Sequence, residues 1–170
     1  MNKFLSLIAS LLFVFNLSLH ANDDIVGFWK TIDEVSGKAQ SIVAVYKYQD
    51  KYFGRLILSY NEDGTVQDTL YAPLKRAPGV VGEPYYSGMD IIFNLKKEGN
   101  KYTDGSIVDP QKGNKYGAEL WISDGNLIVR GKLLFFGRNQ TWPRAASSDF
   151  PQGFTLPDVN KFIPVIPKMK

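Results

Sequence analysis

The 170-residue sequence has no cysteine, and its single histidine is His20. That histidine lies in a leading segment with the three-part layout of an export signal. Asn2 and Lys3 precede the apolar run from Phe4 to Phe15, and a more polar stretch from Asn16 to Ala21 follows. Cleavage after Ala21 is expected, because the run is shorter than the roughly 20 apolar residues a membrane anchor needs. The segment also lacks a cysteine for a lipid anchor. The expectation is a periplasmic or secreted protein, with residues 1–21 as signal peptide, 22–148 as a folded domain and 149–170 as a C-terminal extension. A chain starting at residue 22 has neither His nor Cys. That removes Ser-His-Asp and Cys-His nucleophilic catalysis and nearly every zinc, copper or haem site, so no metal and no cofactor are expected. Disulfides are excluded as well, and stability has to come from packing and hydrogen-bond ladders.

A clustered excess of positive charge is also missing. The sequence pI is about 9.0, yet residues 22–148 carry 16 Lys and Arg against 15 Asp and Glu, and residues 149–170 carry three Lys against two Asp. Neither part has the basic face that binds phosphate backbones, and nucleic acid is not an expected partner. Carboxylate catalysis is what the missing histidine leaves open. Asp50, Asp63, Asp104 and Asp124, however, occupy hydrophilic contexts that read as turns, often directly before Gly. Glu119 is the one acid in a well-marked strand, and its parity with Lys115 sets it on an outward face. No pair of acids converges by alternation, so the chain is read as a binder, not an enzyme.

Helical 3.6-residue periodicity is absent over any long stretch beyond residue 25. Period-two alternation and frequent turn signals replace it. Strands are expected from Ile25 to Thr31, Ser41 to Tyr48, Tyr52 to Tyr60, Met89 to Leu95, Lys101 to Val108, Lys115 to Ser123, Asn126 to Phe135 and Gly137 to Arg144. Residues 61–88, with Asp63-Gly64, Pro73, Pro78, Gly79 and Pro84, form a long connection of the kind that often carries function. Asp124-Gly125 is a strong hairpin signal. About eight such strands close into an antiparallel up-and-down barrel that can hold one small ligand. From residue 149 on, Pro151, Pro157, Pro164 and Pro167 beside Phe150, Phe154 and Phe162 exclude a central strand. Part of this tail is expected to lie along the barrel or cover one mouth.

Gly27-Phe28-Trp29 resembles the Gly-x-Trp signature of lipocalins, in which the Trp closes one barrel end beneath an Arg of the last strand. Arg138, Trp142 and Arg144 stand in the expected last strand. Several further motifs occur in order, among them Gly54-Arg55-Leu56-Ile57, Asp104-Gly105-Ser106-Ile107-Val108-Asp109-Pro110, Leu127-Ile128-Val129-Arg130-Gly131 and Gly137-Arg138-Asn139-Gln140-Thr141-Trp142-Pro143-Arg144. Over about residues 25–144 the chain resembles the exported bacterial family called domain of unknown function 2147. The resemblance implies a lipocalin-like barrel outside the cytoplasm with no established catalytic residues, and the Pro-rich tail departs from that family's short end.

The ligand expected for such a barrel is a small hydrophobic or amphipathic molecule, a lipid or fatty acid. Alternation assigns its contacts to Tyr46, Tyr48, Leu56, Leu58, Tyr60, Ile91, Phe93, Tyr116, Leu120, Val129 and Leu133, and barrel closure to Gly27, Trp29, Arg138, Trp142 and Arg144. Arg55 and Arg130 fall outside by the same alternation. The alternative is a filled barrel serving as an interaction module, with a protein partner held through residues 61–88 or the tail.

Overall fold

The computed structural model describes residues 24–133 and 136–170; the expected signal peptide lies outside the described residues. The period-two segments pair in sequence order. The strands are β1 (Gly27–Ile32), β2 (Ala39–Tyr48), β3 (Lys51–Tyr60), β4 (Val66–Thr69), β5 (Asp90–Glu98), β6 (Lys101–Asp109), β7 (Asn114–Ser123), β8 (Asn126–Leu133) and β9 (Phe136–Trp142). All pairings are antiparallel, in the order β1-β2-β3-β5-β6-β7-β8-β9, with the short β4 added to β3 from within the long connection. The chain returns to its start just past β9. Lys30 N–H donates to the Pro143 carbonyl at 2.9 Å, Ala145 N–H donates to Phe28 at 2.9 Å, and Trp29 bridges to Arg144. These bonds make a nearly closed eight-stranded barrel, which leaves almost no exposed edge.

Antiparallel hairpins sort the loops to two ends. The β2–β3, β5–β6 and β7–β8 turns share one end with the start of β1. The β1–β2 loop, the 61–89 connection, the β6–β7 turn and the β8–β9 turn share the other. Cross-strand partners share a face, so the register tells inside from outside. Trp29 with Val43, Leu120 with Val129, and Leu127 with Trp142 are such pairs. Trp29, Val43, Leu56, Ile92, Leu95, Tyr102, Leu120, Leu127, Val129 and Trp142 are all buried.

Simple alternation fails at three places, each for a local reason. In β3, Ile42 pairs with Leu58 but Val43 pairs with Leu56, so Ile57 is an extra, bulged residue. Leu56 therefore faces in, while Leu58 and Tyr60, expected to face in with it, belong to a separate apolar cluster on the outer wall. In β5, Arg55 pairs with Asp90 and Gly54 with Ile92, which leaves Ile91 as the extra residue. In β5 and β6 together, Asn94 (φ 65°) and Asp104 (φ 59°) are both left-handed. Asp104 is thus a strand residue in a local twist, not the turn residue expected from its composition, and Asp is among the residues that tolerate this conformation. The neighbouring Gly105 allows it, because a Cβ there would lie 2.7 Å from both the Leu95 side chain and the Phe93 carbonyl.

The tail lies along the outer wall. Phe28, Ile42, Ala44, Ile57, Leu58 and Tyr60 are covered by Phe150, Phe154, Val159 and Phe162. Phe150 meets Phe28 edge-on at 5.8 Å and stacks with Phe154 at 5.5 Å. Beyond Phe162 the chain runs beside the long connection, with Val81 N–H donating to the Lys168 carbonyl and Lys170 N–H to Gly79.

Candidate functional site

One end of the barrel is sealed. Trp29 is fully buried, and its indole N–H donates to the Ile25 carbonyl at 2.7 Å. The Arg144 guanidinium covers the Trp29 ring at 4.2 Å from its centroid and reaches the Asp24 carbonyl at 3.2 Å. Gly27 (φ 139°) makes room for it, since a Cβ there would lie 3.0 Å from the Arg144 side chain. Trp142 is buried on the inner face beside Leu127, and its N–H donates to Gln140. Tyr52 and Tyr102 meet edge-on at 4.7 Å and fill the same end. Arg138 stands apart from this group. Its side chain is 74% exposed at the far end of β9, where it pairs with Glu34 of the β1–β2 loop. Alternation brought Arg138 and Arg144 to the same strand but could not say which end each occupies.

At the other end the inner-face residues of β6–β8 become accessible. Ile107 pairs with Tyr116, and Gly131 with Ala118 and Arg138, all on the inner face, which Leu133 shares two residues beyond Gly131. Ile107, Tyr116 and Gly131 are half-buried, and Leu133 is 59% exposed. Inward-facing positions deeper in the same strands, Ala118, Leu120 and Val129, are buried. The inner surface thus passes from dry to accessible toward the β8–β9 turn.

Across from this apolar lip, the β1–β4 side is polar. Thr31 pairs with Ser41, Ser41 with Ser59, and Ser59 with Asp68, in one row on the inner face. The Thr31 and Ser41 hydroxyls lie 2.7 Å apart. Ser59 is 3% exposed and its hydroxyl has no hydrogen-bond partner. Asp68 is 1% exposed and accepts from Leu74 N–H at 2.5 Å and from the Ser87 hydroxyl at 2.8 Å. None of these five polar residues stood out in the sequence. The signal available was a run of small polar residues at matching register positions, which becomes visible only once strand pairing is known.

The residues expected to contact a ligand divide between two places. Leu56, Leu120 and Val129 lie in the buried interior, and Tyr116 and Leu133 at the open lip. Tyr46, Tyr48, Leu58 and Tyr60 lie on the outer face of β2 and β3, and Ile91 at the β5 bulge. Phe93 faces away from Ile92, and the Lys115 ammonium lies over its ring at 5.4 Å.

The outer wall holds a second polar group. Arg55, outside the barrel as alternation predicts, is buried beneath the tail. Its Nε donates to Asp90 at 3.1 Å, and its Nη2 donates to the Tyr46 hydroxyl and the Ile163 carbonyl. Asp90 also accepts from the Tyr46 hydroxyl and from Val165 N–H. Burial raises the Asp90 carboxyl above its usual range against the pull of Arg55, and burial beside Asp90 raises the Tyr46 hydroxyl. Tyr60 is pushed up to about 12, by burial first and by Asp149 second. Between the β1–β2 loop, the end of β3 and the tail is a cleft of about 490 Å³, lined by Lys38, Tyr60, Asp63, Ser148, Asp149 and Phe150.

A sealed end with Arg over Trp and an up-and-down antiparallel barrel define a lipocalin-like protein. Residues 27–144 match the family described as "Uncharacterized protein conserved in bacteria (DUF2147)", and the chain belongs to that family. A solved structure titled "Protein HP1028 from the human pathogen Helicobacter pylori belongs to the lipocalin family" is similar in fold. It superposes with a TM-score of 0.59 at 18% sequence identity, covering 75% of this chain and 86% of that one. No curated protein matches the chain. No helix among the described residues is long and apolar enough to cross a membrane, and no group of three or more potential metal ligands occurs among them.

Proposed function

We propose that this chain is an exported lipocalin-like carrier of one small hydrophobic or amphipathic molecule, lipid-like in character, and not an enzyme. In this reading residues 1–21 direct export to the periplasm or beyond, residues 22–148 form the carrier, and residues 149–170 brace its outer wall. The observation that carries the proposal is the gradient of burial along the inner face of β7 and β8. Ala118, Leu120 and Val129 are buried, while Tyr116, Gly131 and Leu133, facing the same interior, are accessible. An apolar inner surface reached by solvent at one end suits a ligand that buries its apolar part and leaves a polar part near the rim. Leu56, Tyr116, Leu120, Val129 and Leu133 are the contacts retained from the sequence-based set. Tyr46, Tyr48, Leu58 and Tyr60 serve the outer wall instead.

Native mass spectrometry of the exported protein, followed by denaturing extraction, tests this. A stoichiometric lipid-like adduct is expected. Gly131→Phe is expected to abolish it while leaving the unfolding midpoint within a few degrees, because a Cβ at Gly131 meets only Ile107 and Tyr116, at 3.7 and 4.0 Å. A bare mass, together with no binding of the neutral probe N-phenyl-1-naphthylamine, overturns the proposal. One observation favours a second reading as an interaction module. Tyr71, Leu74, Val81 and Tyr85 on the connection, and Ile163, Val165 and Ile166 on the tail, are large apolar side chains left exposed. A partner retained by the wild type and lost on Leu74→Ser and Val81→Ser, with no small-molecule adduct, selects that reading.

A further inference from the structure

We infer, resting on the carrier reading above, that the polar end of the ligand is a hydrogen-bond donor, an amine or a hydroxyl, and not a carboxylate. The inference starts from the buried polar row at the end of the barrel opposite the Trp29 seal. Thr31, Ser41, Ser59 and Asp68 occupy consecutive cross-strand positions on the inner face of β1–β4. Opposite them stand the apolar lip residues Ile107, Tyr116 and Leu133. A molecule held between the two sides meets hydroxyls and a carboxylate on one side and hydrocarbon on the other.

Two features of the row fix the sign of the recognition. Ser59 Oγ is buried, its strand register aims it into the barrel, and it has no partner. A hydroxyl left so in the interior loses the hydrogen bonding that water supplied, a cost of about 1–3 kcal/mol, so such groups are kept where something meets them. Beside it, Asp68 accepts from one backbone N–H and one hydroxyl, and no ion pair to it is found among the described residues. A carboxylate has about four lone-pair sites and accepts only, so two directions on Asp68 remain for donors. A hydroxyl or an ammonium matches the hydrogen-bonding chemistry of both groups, donating to Asp68 and accepting from or donating to Ser59 according to its type. A ligand carboxylate is excluded by like charge, since two carboxylates in one low-dielectric site cannot both ionise without a large penalty. The inward-facing cation Arg138 is already paired with Glu34, and Arg55 is on the outer wall, bound to Asp90 and the tail.

Three 12-carbon probes that differ only in the head test this on the full exported protein. Dodecylamine, dodecanol and dodecanoate are titrated against bound N-phenyl-1-naphthylamine at pH 7. The amine and the alcohol are expected to displace it at concentrations at least tenfold below dodecanoate. Ser59→Ala is expected to weaken the alcohol and the amine several-fold, and Asp68→Asn to remove the advantage of the amine over the alcohol. Because Asp68 also holds Leu74 and Ser87, its variant is compared at matched folded fraction, and the wild-type ranking stands without it. Dodecanoate displacing as well as or better than the other two overturns the headgroup inference alone. No displacement by any of the three, with no probe bound, overturns the carrier reading and this inference together.

Discussion

Glu119 stands between the ammonium groups of Lys101, at 2.6 Å, and Lys132, on the outer face of β7. Their hydrogen bonds hold its carboxyl down to about 2, from an ordinary value of 4.5. A folded-state value below the unfolded one adds stability that is fully present above about pH 4.5 and is lost as pH falls toward 2. Urea unfolding midpoints between pH 5 and pH 2 are expected to fall less steeply in Glu119→Gln than in the wild type. Equal slopes show that the two lysines do not act on this carboxyl. The outward placement of Glu119 was legible from its parity with Lys115. Its burial between two lysines was not, because Lys101 and Lys132 come from neighbouring strands whose register the sequence leaves open. Arg55 shows the same limit more sharply. Removing the guanidinium leaves Asp90 buried without its cation, which costs about 3–5 kcal/mol in comparable pairs. Arg55→Met is expected to lower stability by that amount in chemical denaturation. Arg55→Met with Asp90→Leu is expected to recover much of it, because no uncompensated charge then remains.

At the scale of elements, the tail decides the character of the outer wall. Ile42, Ala44, Ile57 and Leu58 form a buried outer cluster over which Phe150, Phe154, Val159 and Phe162 of the tail pack. Covering an apolar face of this kind is worth roughly 25 cal/mol for each Å² removed from water. Truncation after Arg144 removes the cover and the partners of Arg55 and Asp90 in the tail. The shortened chain is expected to bind 8-anilinonaphthalene-1-sulfonate and to self-associate in size-exclusion chromatography, whereas the full chain does neither. An unchanged elution volume and no dye binding show that the tail is dispensable. The sequence announced the tail as proline-rich and apolar, and so unable to be a central strand. The bulge at Ile57 was not announced, since one extra residue in β3 leaves composition untouched while moving Leu58 and Tyr60 from the expected inner face to the outer one.

Across the whole molecule, closure rests on few bonds between the first and last strands. Trp29, Arg144, Pro143 and Ala145 supply them. The guanidinium over a buried indole contributes on the order of 1–2 kcal/mol. Arg144→Ala is expected to lower stability by about that amount and to shift the tryptophan emission to longer wavelength as water reaches Trp29. An emission maximum that stays in place shows that the seal does not depend on this residue.

By itself the sequence determined that the chain builds a barrel of about eight antiparallel strands, because period-two patterning and turn residues are local signals that need no partner to be read. It determined that there is no cysteine and no histidine beyond residue 20, and it set the Gly27-Phe28-Trp29 element at the start of β1. Tertiary structure alone decided which side of each strand faces in, since the bulges at Ile57 and Ile91 and the left-handed residues Asn94 and Asp104 break simple alternation. It alone joined Thr31, Ser41, Ser59 and Asp68 into one row, and Arg55, Asp90, Tyr46 and the tail into another. Residues up to 108 positions apart meet there, and nothing in a linear pattern fixes a contact whose register is set by hydrogen bonds around a closing sheet.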